Sequence, residues 1–286
     1  MSDTVAPPRP VTPVGIVAER LERAERDLVA AGVADDLLVD LRHALRVASG
    51  LEGYVEQHTS PESEPLARLA GLTAATDWLA GNGDGGPALE QEMLSGHVEG
   101  AFLAFLVRAT GARRVLEIGM FTGYAALAMA EALPTGAGDG TGTGQAAEVV
   151  ALELDPRAVA VAREGFAASP AGPRIRVEEG PADASLRRLA AAGERFDLVF
   201  VDADKGGYAG YLDLLVAGDL LSPGAVVAVD NTLLQGEPWA EQPSTNGAAI
   251  AAFNDRLAAD AGWHRVLVPL RDGVTLLTRL DGAATR

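Results

Sequence analysis

The sequence predicts an α/β fold: a seven-stranded, mostly parallel sheet whose last strand runs antiparallel, covered by helices on both faces and preceded by a helical extension. Three patterns carry this expectation. From residue 90 onward, short apolar runs rich in Val, Ile and Leu alternate with Ala- and Leu-rich helical stretches, which is how a parallel sheet buried on both faces reads in sequence. The last two apolar runs are separated only by Arg271-Asp272-Gly273. A connection that short cannot cross over a sheet, so those strands are antiparallel neighbours. Ahead of residue 90, apolar positions recur near helical spacing among Arg, Glu and Asp.

Taken in order, residues 1–14 are rich in Pro, Thr and Val without periodicity and read as a flexible arm. Residues 15–89 form the helical extension. Ile16, Leu21, Leu28, Val29, Leu37, Leu38, Leu41, Leu45 and Val47 suggest two amphipathic helices, and a third runs over Pro65 to Leu79 behind the potential cap Thr59-Ser60-Pro61-Glu62. Gly81 to Pro87 is a loop. Residues 90–286 hold the sheet domain, with strands at Arg113 to Gly119, Glu148 to Leu154, Ile175 to Gly180, Phe196 to Ala203, Ala225 to Asn231, His264 to Leu270 and Val274 to Leu280. The Gly-rich stretch Pro134 to Ala147 follows a helix and lacks a Gly-Lys-Ser/Thr ending, so it reads as a surface insertion and not as a phosphate loop.

Composition narrows the function. A chain of 286 residues, 48% hydrophobic, fills one large domain or two small ones. A net charge of -17 with no basic patch disfavours nucleic acid and anionic membrane. Cysteine is absent, which removes disulfides, thiolate nucleophiles and sulfur-bound zinc, so any metal takes O or N ligands. The N-terminus lacks the pattern of a signal peptide, and no apolar run nears the ~20 residues of a membrane span, so a cytoplasmic protein is expected.

The strongest local signal is RRVLEIGMFTGYAALAMAEAL, residues 113–133: a strand ending in Glu117, a turn holding Gly119 and Gly123, then a helix. Glycines there let the backbone approach a ligand at the helix N-terminus. The turn lacks the three glycines of a dinucleotide site. Glu117 would repel a pyrophosphate but favour a sulfonium cofactor bearing a free amine, which points to S-adenosylmethionine and away from NAD. Glu153, closing the second strand, stands where a carboxylate receives ribose hydroxyls. The plainer alternatives are that Gly123 only caps a turn and that Glu153 is a solvated strand end.

Two later strands end in polar groups that packing does not explain: Asp202 in FDLVFVDADK, and Asp230 with Asn231 in AVVAVDN. Desolvating lone carboxylates costs several kcal/mol, so these groups have a purpose. If the strands are neighbours, the three side chains meet at the carboxyl edge of the sheet, where open α/β folds bind ligands. Two carboxylates and an amide oxygen form a hard set suited to Mg, Mn or Ca, able to chelate two neighbouring substrate oxygens. Lys205 lies close enough to such an ion for its pKa to fall toward that of a general base; its alternative is a surface lysine at a helix start. Asp204 reads equally as a cap or as support for the ligands.

On these residues the chain resembles the cation-dependent O-methyltransferases related to catechol and caffeoyl-CoA O-methyltransferases, within the class I S-adenosylmethionine-dependent methyltransferases and their Rossmann-like fold. The resemblance runs from about Tyr54 to Leu280 and is strongest in EIGMFTGYA, VDADKGGYAGYLDLL, GAVVAVDNTLLQG and PLRDGVTLLTRL. It implies metal ligands at Asp202, Asp230 and Asn231, a catalytic base at Lys205, and cofactor contacts at Met93, Glu117, Gly119, Gly123, Ala125, Glu153, Ala182 and Asp202. The chain departs from the family pattern in several places. Ala125 stands where a serine hydroxyl is common, and Glu153 where Asp is common. SGHVEG replaces SADEG and puts His97 near the entrance, where it could contact substrate or simply pack. The N-terminal 45 or so residues exceed many bacterial relatives and either cover the site or extend a dimer interface.

The implied reaction is metal-dependent transfer of a methyl group from S-adenosylmethionine to a hydroxyl of a small catechol-like molecule, in secondary metabolism and in a homodimer. Trp239, Phe121, Tyr208 and the Gln235 to Asn246 loop are candidates for the substrate wall, or ordinary packing. A hydroxamate or an α-hydroxy acid would satisfy the same chelation. A non-catalytic S-adenosylmethionine-binding subunit would not need the metal and lysine positions, and an NAD oxidoreductase would need the missing glycines.

Overall fold

The computed structural model describes residues 9–78, 89–135 and 146–280 of the chain. Seven strands form one sheet: β1 (Arg114–Ile118), β2 (Glu148–Glu153), β3 (Ile175–Glu179), β4 (Phe196–Val201), β5 (Leu221–Val229), β6 (Trp263–Val268) and β7 (Val274–Arg279). Their order is β3-β2-β1-β4-β5-β7-β6. The first five are parallel, and β7 lies antiparallel between β5 and β6. This is the predicted sheet, and the short Arg271-Asp272-Gly273 turn makes the antiparallel edge. β1 and β4 sit at the centre, where both faces are covered, and all but one of their residues in each strand are buried. β5 begins four residues earlier than the sequence suggests. Pro223 and Gly224 read as breakers, but the chain keeps pairing with β4 through a register shift between Phe196 and Leu198.

Alternation along the strands divides the core. Val115, Val149, Leu198 and Phe200 face a layer made of α3 (Glu64–Ala75), α4 (Gly96–Thr110), α5 (Tyr124–Ala132) and α6 (Pro156–Ala167). Leu116, Ile118, Val150, Val199 and Val201 face α7 (Ala182–Ala191), α8 (Tyr208–Ala217) and α9 (Thr245–Ala259). Each strand therefore has two apolar faces, which is why its sequence reads as a continuous apolar run.

The N-terminal part supplies α1 (Pro13–Ala30), α2 (Val39–Gln57) and α3. α1 takes in the last two residues of the predicted arm, because Thr12 caps it, accepting from Gly15 N at 3.1 Å, with Pro13 at its first turn. Thr12 also donates to Glu52 of α2 at 2.5 Å, and Arg9 pairs with Glu90 at 2.6 Å, so residues 9–12 are docked; residues 1–8 lie outside the described residues. α1 and α2 pack on each other and bury no residue fully. α3 is different. Ser63 caps it, and Leu66 and Leu69 enter the sheet's core, with Leu69 lying so close to α6 that a Cβ on Gly165 would stand 2.5 Å from its Cδ1. The predicted loop over Gly81 to Pro87 and most of the Gly-rich insertion lie outside the described residues. Among the described residues no helix is long and apolar enough to cross a membrane.

Leu69→Ala removes this α3–α6 contact and leaves a cavity, so unfolding by denaturant should show a loss of about 2–5 kcal/mol.

Candidate active site

The site forms where β1, β4 and β5 end. β4 and β5 are hydrogen-bonded neighbours with Val201 opposite Val229, so the residues that follow them, Asp202 and Asp230, emerge side by side. Asp230 N donates to Val201 O at 2.9 Å and holds that placement. Asn231 turns the chain with φ of 55°, a left-handed conformation that Asn tolerates better than most residues. The turn after β1 closes against the same point. Gly119 has φ of 89°, and a Cβ there would lie 2.0 Å from the carbonyl oxygen of Asp202, so only glycine lets the two segments approach. Gly123 meets the same demand one turn later, with φ of 84° and the Phe166 ring where a Cβ would go.

These strand ends open onto a cavity of about 940 Å³. Asp202, Asp230 and Asn231 line it together with Lys205, as do Gly119, Glu153, Ala182 and Met93. Lys205 Nζ donates to Asn231 Oδ1 at 2.6 Å, to the Tyr208 hydroxyl at 2.8 Å and to Asp202 Oδ1 at 3.0 Å. Burial pulls the Lys205 ammonium down, but Tyr208, Asp202 and Asp230 outweigh it and hold the pKa well above the usual lysine range. The lowered pKa expected of a base thus needs positive charge that these carboxylates do not provide. Tyr208 is buried and donates in turn to Asp230 O at 3.2 Å, so it supports the lysine and does not form the cavity wall.

Asp230 is buried with Oδ1 lacking any hydrogen-bond partner, and burial together with Asp202 pushes its pKa up to about 7. No three His, Cys, Asp or Glu side chains among the described residues form a metal-holding group. The candidate set is two carboxylates and an amide, and its fit to a hard cation rests on the unpartnered Asp230 oxygen and on Lys205 already drawing Asp202 and Asn231 toward a positive charge.

The other predicted contacts divide. Glu117 is buried at the end of β1 with Oε2 unpartnered, and burial raises its pKa well above the usual range. It stands behind the turn and off the cavity lining, as does Gly123. Ala125 is packed into the core within α5, one residue past the helix start. Glu153 reaches the cavity, but its carboxylate accepts from Phe121 N at 2.6 Å, Leu154 N at 2.7 Å and Asp155 N at 2.8 Å, bracing the β1 turn against β2. Phe121, Gln235 and Asn246 line the cavity, whereas Trp239 is exposed and off it. Asp204 lines it and accepts from the Tyr211 hydroxyl at 2.5 Å. His97 Nε2 bonds the Ser60 carbonyl at 2.6 Å, so it ties α4 to the α2–α3 connection and stays out of the cavity.

Two acids escaped the sequence reading. Asp272, in the β6–β7 turn, is buried; its Oδ1 accepts from Gln235 N at 2.6 Å and its Oδ2 from Asn231 Nδ2 at 3.4 Å. Burial pushes its pKa up to about 6. Glu99, in the first turn of α4, is 2% exposed, and its Oε1 has no partner. The signal for Asp272 was present in PLRDG, which the spacing explained as a turn and nothing more.

The O-methyltransferase family model matches residues 86–280, more than half of the chain. The chain belongs to the O-methyltransferase family. Caffeoyl-CoA O-methyltransferase 2 of Zea mays is 32% identical over 229 residues, which span 77% of this chain and 78% of that one. Among solved structures, a methyltransferase of Podospora anserina crystallised with S-adenosylhomocysteine superposes with a TM-score of 0.68 at 28% identity, covering 82% of this chain and 96% of that one. The O-methyltransferase TomG of Streptomyces achromogenes, which acts in tomaymycin synthesis and was crystallised with S-adenosylmethionine, has a TM-score of 0.64 at 26% identity, covering 80% and 96%. The chain is an S-adenosylmethionine-dependent O-methyltransferase of the caffeoyl-CoA type, and its Rossmann-like sheet is that of the class I enzymes.

In this O-methyltransferase, Gly119→Ala should collide with the Asp202 carbonyl in an unfavourable φ. Thermal and denaturant unfolding should register a loss on the order of 2–4 kcal/mol, and a stability within error of the parent would contradict the close approach.

Proposed function

We propose that this O-methyltransferase moves a methyl group from S-adenosylmethionine to one hydroxyl of a small molecule carrying two neighbouring oxygens, a catechol being the simplest, with a divalent cation at Asp202, Asp230 and Asn231. The observation that supports it most is the convergence of those three oxygen-bearing side chains with Lys205 on one cavity wall. A bound divalent ion, Mg most readily with Mn or Ca as alternatives, would supply the positive charge that makes an acceptor hydroxyl acidic.

The chain's own groups do the rest. The β1 turn and the N-terminus of α7, where Ala182 lines the cavity, offer backbone to the cofactor. Glu153, on the cavity lining, and Glu117, buried behind the β1 turn with an unpartnered oxygen, place acidic groups on the side where a sulfonium and its amine would bind. Lys205 holds the Asp202 and Asn231 oxygens that a divalent ion would take, and with that positive charge beside it the lysine, held by Tyr208, would be a neutral amine able to take the acceptor proton. The acceptor oxygen then displaces the sulfur at the methyl carbon: the carbon–oxygen bond forms as the carbon–sulfur bond breaks, leaving S-adenosylhomocysteine. Met93 and Phe121 line the cavity as apolar wall against the reacting groups.

Methyl transfer measured over catechols, caffeoyl esters and hydroxamates, with and without Mg, tests the reading. Activity on a vicinal diol-type aromatic that disappears in EDTA and returns with Mg is the expected result, and full activity in EDTA or in Asp202→Ala would remove the metal from it. Lys205→Ala should lower kcat by about 100-fold or more while leaving S-adenosylmethionine affinity within a few-fold. Equal losses in both would show that the lysine shapes the cofactor site and is not the base.

A further inference from the structure

Glu99 is a buried acid on the cavity wall that the proposed reaction does not use. It sits in the first turn of α4, its residue is 2% exposed, and it lines the cavity that Asp202, Asp230 and Asn231 line. Oε2 faces Arg271 Nε at 3.8 Å, too far for a hydrogen bond, and Oε1 is buried with no partner. Asp230, the other buried acid here, has its Oδ1 equally unpartnered. The two carboxyls lie within hydrogen-bond reach of each other, and two buried acids so close are costly unless a proton or a cation lies between them.

Arg271 does not meet this need. Its guanidinium is spent on the Ser95 carbonyl, which holds the start of α4 against the β6–β7 turn, and Gly96 leaves the room for it: a Cβ there would lie 2.8 Å from Arg271 Nη1. The arginine thus stands near Glu99 Oε2 without bonding it and leaves the buried Oε1 without a donor. No three acidic or histidine side chains among the described residues make a common ligand group, so Glu99 acts beside the ligands and not as a third carboxylate around one ion.

We infer that Glu99 is a positioning residue of the cation site: its buried carboxyl lies against that of Asp230, confines that ligand to the cavity side and adds negative charge beside a bound divalent cation, which raises the affinity for it. This rests on the proposed cation site at Asp202, Asp230 and Asn231. Groups that orient a metal ligand typically contribute tenfold or more to affinity.

The test is titration of the full-length protein with Mn²⁺, followed by electron paramagnetic resonance, alongside calorimetric binding of S-adenosylhomocysteine. Glu99→Gln should weaken Mn²⁺ by about tenfold to a hundredfold and leave S-adenosylhomocysteine affinity unchanged, with Glu99→Asp recovering part of the loss. Undiminished Mn²⁺ affinity in Glu99→Gln, with affinity lost in Asp230→Asn, overturns the role of Glu99 and leaves the cation site standing. Undiminished affinity in both variants overturns the cation site itself. Weakened S-adenosylhomocysteine with unchanged Mn²⁺ also overturns the inference and assigns Glu99 to the cofactor. If Glu99→Gln fails to fold, anomalous diffraction from the parent protein loaded with Mn²⁺ decides: the Glu99 carboxyl within hydrogen-bond reach of Asp230 or of an ion-bound water supports the inference, and a Glu99 turned away from both overturns it.

Discussion

The register of β4 against β5 is the constraint on which the site depends. Val201 lies opposite Val229, and Asp230 N continues the ladder onto Val201 O, so two strands from distant parts of the chain release acidic side chains at the same height. A slip of one residue would turn the apolar set of β5 to the wrong layer and send Asp230 into it. The pairing of β4 with β1, Ile118 opposite Val201, places Asp202 where the β1 turn closes over it, and Gly119 is the concession that this closeness requires. Core packing and site geometry are therefore one specification: Val199 and Val201 are buried against α8, and Lys205 and Tyr208 follow at the entry to that helix.

What collects at this edge is more negative charge than the fold alone would tolerate. Asp230, Glu99 and Glu117 are buried with unpartnered oxygens, and the pKa values of all three are raised by burial first and by neighbouring carboxylates second. Buried acids of this kind subtract from stability, and a protein keeps them where cationic ligands repay the cost on binding. A sulfonium cofactor and a divalent cation are both positive, which gives the accumulation one chemical sense. Lys205 meets part of the charge within the protein, through the same oxygens that a cation would claim.

Much of this was legible in sequence because it is local. The apolar runs gave the strands, the Arg271-Asp272-Gly273 spacing gave the antiparallel edge, and polar residues at two strand ends marked the site. Features that depend on distant partners were not legible. His97 resembles an entrance residue until its bond to Ser60 is seen, and Trp239 resembles a wall residue although it faces solvent. Ala125, one residue beyond the helix start, packs its side chain into the core. Pro223 and Gly224 lie before the strand predicted from Ala225, since nothing local shows that Leu221, ahead of them, already pairs with Phe196 across a register shift. Glu99 is the hardest case. An acid in the first turn of a helix is an ordinary stabilising feature, and only the fold shows that this one is buried at a cavity wall.

The β6–β7 turn shows how a late, short segment governs a site built by earlier ones. Arg271 reaches back to Ser95 at the start of α4, and Asp272 holds Gln235 N and the Asn231 amide. Leu233 N and Thr232 N donate to the carbonyls of Asp272 and Gly273, so the loop after β5 is stitched to the turn by its backbone. Gly273 has φ of 88° with Leu233 filling the space a Cβ would need. By binding Nδ2 of Asn231, Asp272 determines that Oδ1 is the end presented to Lys205, and an amide turned the other way would offer a donor where the site needs an acceptor. The antiparallel edge of the sheet is therefore more than a terminal decoration: it fixes the polarity of one candidate ligand and the position of the helix that carries Glu99.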